Sequence, residues 1–159
     1  MAVTGMDASV EPRARPRSFE ELESIFAGLE APFAFVDLDA MWSNGREMLG
    51  RAAGKPLRVA SKSVRCRSLL AAMLERDGFR GLMTFTLPES LWLHGHGFDD
   101  LLCAYPTSDR AAISELARLD SERPPIVMVD SREQLDLIGA AAGPGGCPVR
   151  VCIDVDLGW

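Results

Sequence analysis

Short apolar runs alternate with amphipathic stretches along most of the chain. The apolar runs predict β-strands at residues 33–38, 57–61, 81–85, 101–105, 125–129 and 149–156. Between them, apolar side chains recur at the spacing of one helix face, which predicts helices at residues 40–53, 64–76, 86–94, 109–119 and 130–142. Residues 1–17 show no periodicity and are predicted to form a flexible leader.

Capping residues mark where several of these helices begin. Ser18 and Glu21 form a capping box that opens an additional short helix, which Gly28 closes. A second capping box joins Thr86 and Glu89. The other predicted caps are Asp39 and residues 130–133.

The alternation of strands and helices predicts βαβ units and a parallel sheet, which is an α/β fold. The strands are short and continuously apolar, as expected when both faces of a sheet are covered. A doubly wound sheet and a (β/α)8 barrel both fit this order of elements. A barrel needs about 250 residues, so this chain would supply about five of its eight strands. We therefore expect a partial (β/α)8 TIM barrel whose first and last strands lack a neighbour.

The charge balance argues against several classes of partner. Of 159 residues, 17 are Lys or Arg and 23 are Asp or Glu, which gives a net charge of −6. An acidic chain is a poor ligand for nucleic acid or for an anionic membrane surface. The sequence also has no apolar run of about 18 residues and no signal peptide, so we expect a cytoplasmic protein.

The common cofactor and catalytic motifs are absent. No Gly-x-Gly-x-x-Gly run stands between a strand and a helix, and no lysine follows a glycine-rich loop. His94 and His96 are two residues apart, so they do not face the same way on a helix, and no nucleophile elbow surrounds a serine. The cysteines form no Cys-x-x-Cys pair and are expected to be reduced thiols; they are Cys66, Cys103, Cys147 and Cys152. No metal ligands are predicted within the chain.

Lysine is rare in this sequence, which makes each lysine informative. Of the 17 basic residues, 15 are Arg, and the two lysines are Lys55 and Lys62. Lys55 precedes a proline in a turn and is expected to be a solvated charge. Lys62 directly follows the strand at 57–61, at the edge of a parallel sheet where catalytic groups gather. A neutral amine there can attack an aldehyde carbon, which Arg cannot do, although many lysines simply end strands.

Around Lys62 the sequence resembles a known family. Residues 31–40 and 57–63 look like the opening of the fold-type-III pyridoxal-phosphate enzymes, to which the alanine racemase N-terminal domain belongs. Residues 97–106, 129–135 and 153–156 extend the similarity, which covers residues 31–159. The closer resemblance is to the branch of D-threonine aldolase, D-serine dehydratase and the amino-acid deaminase/aldolase proteins.

The resemblance implies a cofactor and a division of the chain. Lys62 would hold the aldehyde of pyridoxal 5'-phosphate, and residues 57–61 would be the first barrel strand. Residues 1–30 would be a leader with a short helix, and residues 31–159 the N-terminal part of the barrel domain. Residues 33–38 would pair with a C-terminal β-domain that is missing here. The family's phosphate-binding loops and the divalent metal site of the aldolase branch would also lie beyond Trp159, which stands where racemase-like members carry an Arg.

The family further implies a reaction on a D-amino acid. In the complete enzyme, expected to be a homodimer, a β-hydroxy D-amino acid would be cleaved or deaminated, with Lys62 as the catalytic residue. Tyr105 and Asp154 also close strands and are predicted to line the cofactor pocket. Racemisation of a small amino acid, or pyridoxal-phosphate binding without catalysis, are the alternatives. Alone, this chain is expected to be poorly soluble or oligomeric, and inactive on D-threonine or D-serine.

Overall fold

The structure is a computed structural model that describes residues 15–158. Most of the predicted leader, residues 1–14, and Trp159 therefore lie outside the described residues. The chain divides into two compact units, with the boundary between Gly54 and Lys55. None of the described helices is long and apolar enough to cross a lipid bilayer.

The first unit contains two helices. Helix α1 spans Phe19–Ile25 and begins at the predicted capping box, in which Ser18 and Glu21 each accept a hydrogen bond from the other's backbone N–H. Helix α2 spans Leu38–Ala52 and ends at Ala53, which has a left-handed backbone. Between the helices, the ring of Phe26 lies 5.1 Å from that of Phe33 and 4.5 Å from that of Phe35.

Two predictions for this unit are wrong. Residues 33–38 do not form a strand, because residues 33–37 pair with no other strand in the described chain and Leu38 already begins α2. The N-cap of α2 is Asp37 rather than Asp39: the Asp37 carboxylate accepts the backbone N–H of Ala40 at 3.1 Å. This hydrogen bond lowers the pKa of Asp37. Asp39 instead lies in the first turn of the helix and pairs with Arg17.

The second unit alternates strands and helices as the sequence predicts. Its strands are β1 (Leu57–Ala60), β2 (Phe79–Thr84), β3 (Leu101–Cys103), β4 (Ile126–Val129) and β5 (Val151–Ile153). Its helices are α3 (Ser61–Val64), α4 (Arg67–Leu74), α5 (Leu87–Gly95), α6 (Arg110–Ala117) and α7 (Arg132–Ala142). The single helix predicted at 64–76 is wrong, since Arg65 adopts a left-handed backbone with φ of 49° and separates α3 from α4.

The five strands form one parallel sheet in the order β1-β2-β3-β4-β5. Each strand is thus the spatial neighbour of the next strand in the chain. A doubly wound sheet reverses its strand order at a switch point, and no reversal occurs among the described strands. The order agrees with successive strands of a (β/α)8 barrel, and the predicted partial barrel is confirmed.

The main core lies between the sheet and its helices. Leu82, Leu101 and Val127 are almost fully buried on one face of the sheet, and helices α4 to α7 bury leucines and isoleucines. Fully burying each such side chain contributes about 1.5–3 kcal/mol. The opposite face carries a row of half-buried residues, which are Ala60, Met83, Leu102, Ile126, Met128 and Cys152. The core therefore fixes the sheet against its helices and orients the strand ends.

An arginine of the second unit's sheet links its own strand to the next strand and to the residue before the third. Arg58 in β1 donates to the Asp100 carboxylate at 2.8 Å and to the Leu82 carbonyl at 3.3 Å. Gly81 makes room for this side chain, because a Cβ at residue 81 would collide with Arg58 and Asp100. Gly81 also has a φ of +68°, which disfavours any larger residue. The arginine thereby connects β1 to β2 and to the residue before β3.

Candidate functional site

Lys62 lies where the sequence predicts, immediately beyond a strand end. β1 ends at Ala60, and Lys62 is the second residue of the short helix α3. Phe85 directly follows β2, and Tyr105 lies two residues beyond β3. Because neighbouring parallel strands end at the same edge, these three side chains come from adjacent positions along that edge.

The amine of Lys62 is in an aromatic environment. Its Nζ donates a hydrogen bond to the Tyr105 hydroxyl at 2.5 Å. It also lies 4.7 Å from the centre of the Tyr105 ring and 5.6 Å from that of Phe85. The two rings meet edge to face with centroids 5.3 Å apart. Lys62 is half-buried, so its amine is packed between rings while remaining reachable from solvent.

A carboxylate holds the residues on either side of this amine. Glu89 accepts the hydroxyl of Ser61 at 2.6 Å through one oxygen and the backbone N–H of Phe85 at 2.8 Å through the other. Ser61 is only 1% exposed and directly precedes Lys62. Glu89 therefore fixes the ends of β1 and β2 relative to each other, from the first turn of α5.

Buried hydroxyl groups anchor the same helix to the sheet. Thr84, the last residue of β2, and Ser90 in α5 are fully buried with their hydroxyl oxygens 2.5 Å apart. Thr84 also donates to the Leu102 carbonyl at 3.2 Å. On β3, burial raises the pKa of the Cys103 thiol, which donates to the Tyr105 carbonyl at 3.5 Å. The backbone that carries Tyr105 is thus tied to a buried, neutral side chain.

Asp154 lies apart from the other two predicted site residues. It follows β5, whereas Lys62 follows β1, at the other end of the strand order. Its backbone N–H donates to the Val129 carbonyl at 2.8 Å, and its side chain is exposed. There it borders a cavity that is also lined by Asp130 and Asp156. The structure thus brings Tyr105 to Lys62 but records no contact between Asp154 and either of them, and the role of Asp154 stays a prediction.

Sequence reasoning missed the contribution of Glu89 and Phe85. The predicted capping box at Thr86 is half correct: Thr86 accepts the backbone N–H of Glu89 at 3.2 Å, but the Glu89 side chain does not return to Thr86. It bonds instead to Ser61 and Phe85. The sequence offered a signal for Phe85, which stands at the end of a predicted strand. The ends of parallel strands meet at one edge of the sheet, so Phe85 could have been placed near Lys62.

No metal site accompanies the lysine. Across residues 15–158, no group of three or more His, Cys, Asp or Glu side chains is arranged to hold a metal ion. The Nδ1 atom of His96 lies 2.7 Å from the Trp92 carbonyl oxygen, within hydrogen-bonding distance. Lys55 is exposed, as expected for a solvated charge.

Comparison with known proteins identifies one matching family. The model of the alanine racemase N-terminal domain matches residues 36–159, which include α2 and all of the second unit. A search of curated proteins finds no match to the chain.

Proposed function

Because the chain belongs to the alanine racemase N-terminal domain family of pyridoxal-phosphate enzymes, we propose that Lys62 is its cofactor lysine. The observation that carries this proposal is the position of the Lys62 amine at a strand end, between Phe85 and Tyr105. We further propose that the reaction is the cleavage or deamination of a β-hydroxy D-amino acid. The similarity of residues 57–63 and 97–106 to the aldolase and dehydratase branch supports this choice.

The residues around Lys62 fit the cofactor. An aldehyde needs a primary amine that solvent molecules can reach, and the Lys62 amine meets that need at the sheet edge. The aromatic rings beside it offer faces of the size and polarity that a pyridine ring packs against. When bound, pyridoxal phosphate supplies an electron sink for the bond that breaks in the substrate.

Tyr105 and Glu89 act on the lysine in different ways. The Tyr105 hydroxyl contacts Nζ directly, so it holds the amine and can exchange a proton with it. Glu89 touches neither the amine nor the phenol, and instead positions the backbone at Ser61 and Phe85. The Phe85 and Tyr105 rings pack beside the amine and leave it reachable from solvent. We propose Lys62 and Tyr105 as the catalytic pair and Glu89 as a positioning residue.

Racemisation is the alternative reaction at the same site. The matching family model carries the name of alanine racemase, and racemisation would use the same lysine and tyrosine as proton carriers. The products separate the two reactions. Incubation of the complete enzyme with D-threonine or D-serine gives glycine plus an aldehyde, or a keto acid plus ammonia, if the proposal holds. If an L-amino acid forms from a D-amino acid instead, the proposed cleavage or deamination is wrong and the reaction is racemisation.

The cofactor assignment can be tested without turnover. Pyridoxal phosphate added to the protein should produce a visible absorbance band, and borohydride should then fix one cofactor mass on the peptide that contains Lys62. Lys62→Ala should abolish both signals, whereas Lys55→Ala should leave them unchanged, since Lys55 is an exposed residue in the connection between α2 and β1. Labelling that persists in Lys62→Ala would show that the lysine is wrongly assigned.

A further inference from the structure

The segment that contains Lys62 carries an excess of basic residues, although the chain as a whole has a net negative charge. Residues 56–74 contain no Asp or Glu, while Arg65 and Arg67 follow Lys62 closely. Arg65 ends α3, and Arg67 begins α4. Both side chains are exposed. A local excess of positive charge of this kind attracts small anions to this end of the sheet.

The two arginines border a cavity of about 400 Å³. Its wall also includes Phe85, one of the two rings that contact the Lys62 amine, and Trp92. The guanidinium of Arg67 lies 5.2 Å from the centre of the Trp92 ring, and Arg65 donates through Nε to the Lys62 carbonyl at 2.9 Å. Each guanidinium is thereby held at the cavity, with N–H groups left over for a ligand.

Neither arginine has an acidic partner within residues 15–158. Other arginines of the structure do: Arg58 pairs with Asp100, and Arg123 pairs with Asp99. The one carboxylate in the cavity wall belongs to Glu89, and both of its oxygens already accept hydrogen bonds from Ser61 and Phe85. The two guanidiniums are therefore available to an anion that enters the cavity.

The start of helix α4 also favours the binding of an anion in this cavity. Its N-cap residue, Cys66, lines the cavity and makes no side-chain capping bond. The first N–H groups of a helix need an acceptor, and an anion can serve as one. Two guanidiniums without a carboxylate partner among the described residues, an uncapped helix start and an aromatic wall thus surround one space. Its wall also includes Ser61, which directly precedes Lys62, and Phe85, whose ring contacts the Lys62 amine.

We propose that this cavity binds the oxyanion of a small molecule, a carboxylate or a phosphate, through Arg65 and Arg67. Guanidinium groups bind both anions through paired, charge-assisted hydrogen bonds. This inference rests on the proposed function, since the oxyanion would belong to the amino acid or to the cofactor that meets Lys62. The site would set how the ligand is oriented when its other end reaches the amine.

Binding of simple anions tests the cavity directly. Inorganic phosphate and acetate are titrated into the full chain by calorimetry, with Arg65→Gln, Arg67→Gln and the control Arg118→Gln. Arg118 is an exposed residue at the end of α6 and lies outside the cavity. At least one of the two anions should bind roughly tenfold more weakly to each cavity variant, because a charged hydrogen-bond donor is lost. The control variant should bind that anion with the wild-type affinity. Equal affinities in all variants would overturn the proposal.

Two comparisons then identify the source of the oxyanion. If the cofactor phosphate occupies the cavity, the Arg variants should lose the wild-type preference for pyridoxal phosphate over pyridoxal in borohydride labelling. If the substrate carboxylate occupies it, they should weaken the binding of D-serine but not that of ethanolamine, which lacks the carboxylate. If neither preference changes, the cavity holds no ligand of the reaction and the proposal is wrong. Should a Gln variant unfold, Arg65→Lys or Arg67→Lys replaces it. Lysine keeps the charge but cannot form the paired hydrogen bonds of a guanidinium, so anion binding should still weaken.

Lys62→Ala separates this inference from the proposed function. It removes the amine but leaves both arginines, so anion affinity should stay at the wild-type value while labelling is lost. Anion binding without any lysine labelling in the wild-type protein would refute the cofactor assignment alone. Labelling of Lys62 without any anion binding would refute the proposed anion site but not the cofactor assignment.

Discussion

At the scale of single residues, the Lys62 amine depends on one hydrogen bond and two rings. Tyr105 provides both kinds of contact, since its hydroxyl accepts a hydrogen bond from the Lys62 amine and its ring lies beside that amine. Phe85 provides only a ring. Substitutions at these two positions can therefore separate the polar contribution from the apolar one.

Tyr105→Phe should weaken pyridoxal-phosphate binding about three- to tenfold while leaving the fold intact. It removes a hydrogen bond whose net value is about 0.5–1.5 kcal/mol but keeps the ring. Tyr105 is 45% exposed, so little core packing is lost. Absorbance titration measures the affinity, and the melting temperature serves as the control. An unchanged affinity would mean that the Tyr105 hydroxyl does not hold the amine.

Glu89→Gln should lower both stability and cofactor binding, although residue 89 does not touch the amine. A glutamine has one accepting oxygen, so it can no longer satisfy both Ser61 and Phe85. Losing one charge-assisted bond costs about 1.5–3 kcal/mol. Urea unfolding and cofactor titration measure the two effects, with Glu115→Gln on the exposed side of α6 as the matched control. A destabilised variant with wild-type cofactor affinity would leave Glu89 a purely structural role.

At the scale of elements, the sequence predicts the order of strands and helices well because each element carries its own periodicity. The strand predicted at 33–38 is wrong because an apolar run becomes a strand only with a partner, and the Asp37 cap starts a helix instead. The break at Arg65 has no local signal, since a left-handed arginine is uncommon. Lys62 was predictable from its strand end, whereas Glu89 was not, because its partners lie far away in the sequence.

The Arg58–Asp100 pair between elements should give stability that is lost in acid. Burial opposes ionisation of Asp100, but the Arg58 hydrogen bond and the nearby arginine charges outweigh it and lower the pKa of Asp100 below its usual 3.8. Because the pKa of Asp100 is lower in the folded protein than in the unfolded chain, its ionised carboxylate stabilises the fold above pH 3.8. This stabilisation is lost as the pH falls through the pKa of Asp100 in the folded protein. Asp100→Asn should therefore cost about 1–3 kcal/mol at pH 6, and less on acidification.

Urea unfolding of wild type and variant from pH 6 to pH 2.5 measures this difference. The neighbouring Asp99 provides the control, because its pair with Arg123 is about half exposed. Asp99→Asn should cost less than about 1 kcal/mol at every pH. A constant cost for Asp100→Asn across the range would show that ionisation of Asp100 does not stabilise the fold.

At the scale of the whole molecule, the two compact units differ in how much of each is buried. In the first unit, α1 has no buried residue, and α2 buries only Ser43 and Gly45. In the second unit, Leu82, Leu101 and Val127 are at most 1% exposed in adjacent strands. Apolar burial is the main source of stability, so we expect the units to open with different free energies.

Hydrogen exchange should reveal this difference along the chain. Amides of α1 and α2 should exchange faster than those of β2, β3 and β4, which are inner strands of the parallel sheet with a hydrogen-bonded neighbour on each side. Leu82→Ala should accelerate exchange throughout β2 to β4, since removing a fully buried leucine costs about 2–5 kcal/mol. Leu29→Ala is the matched control, because Leu29 is 59% exposed and its loss should leave the sheet unaffected. Equal exchange rates in α2 and in β3 would mean that the chain opens as one cooperative body, and that the sparse burial of the first unit does not set its stability.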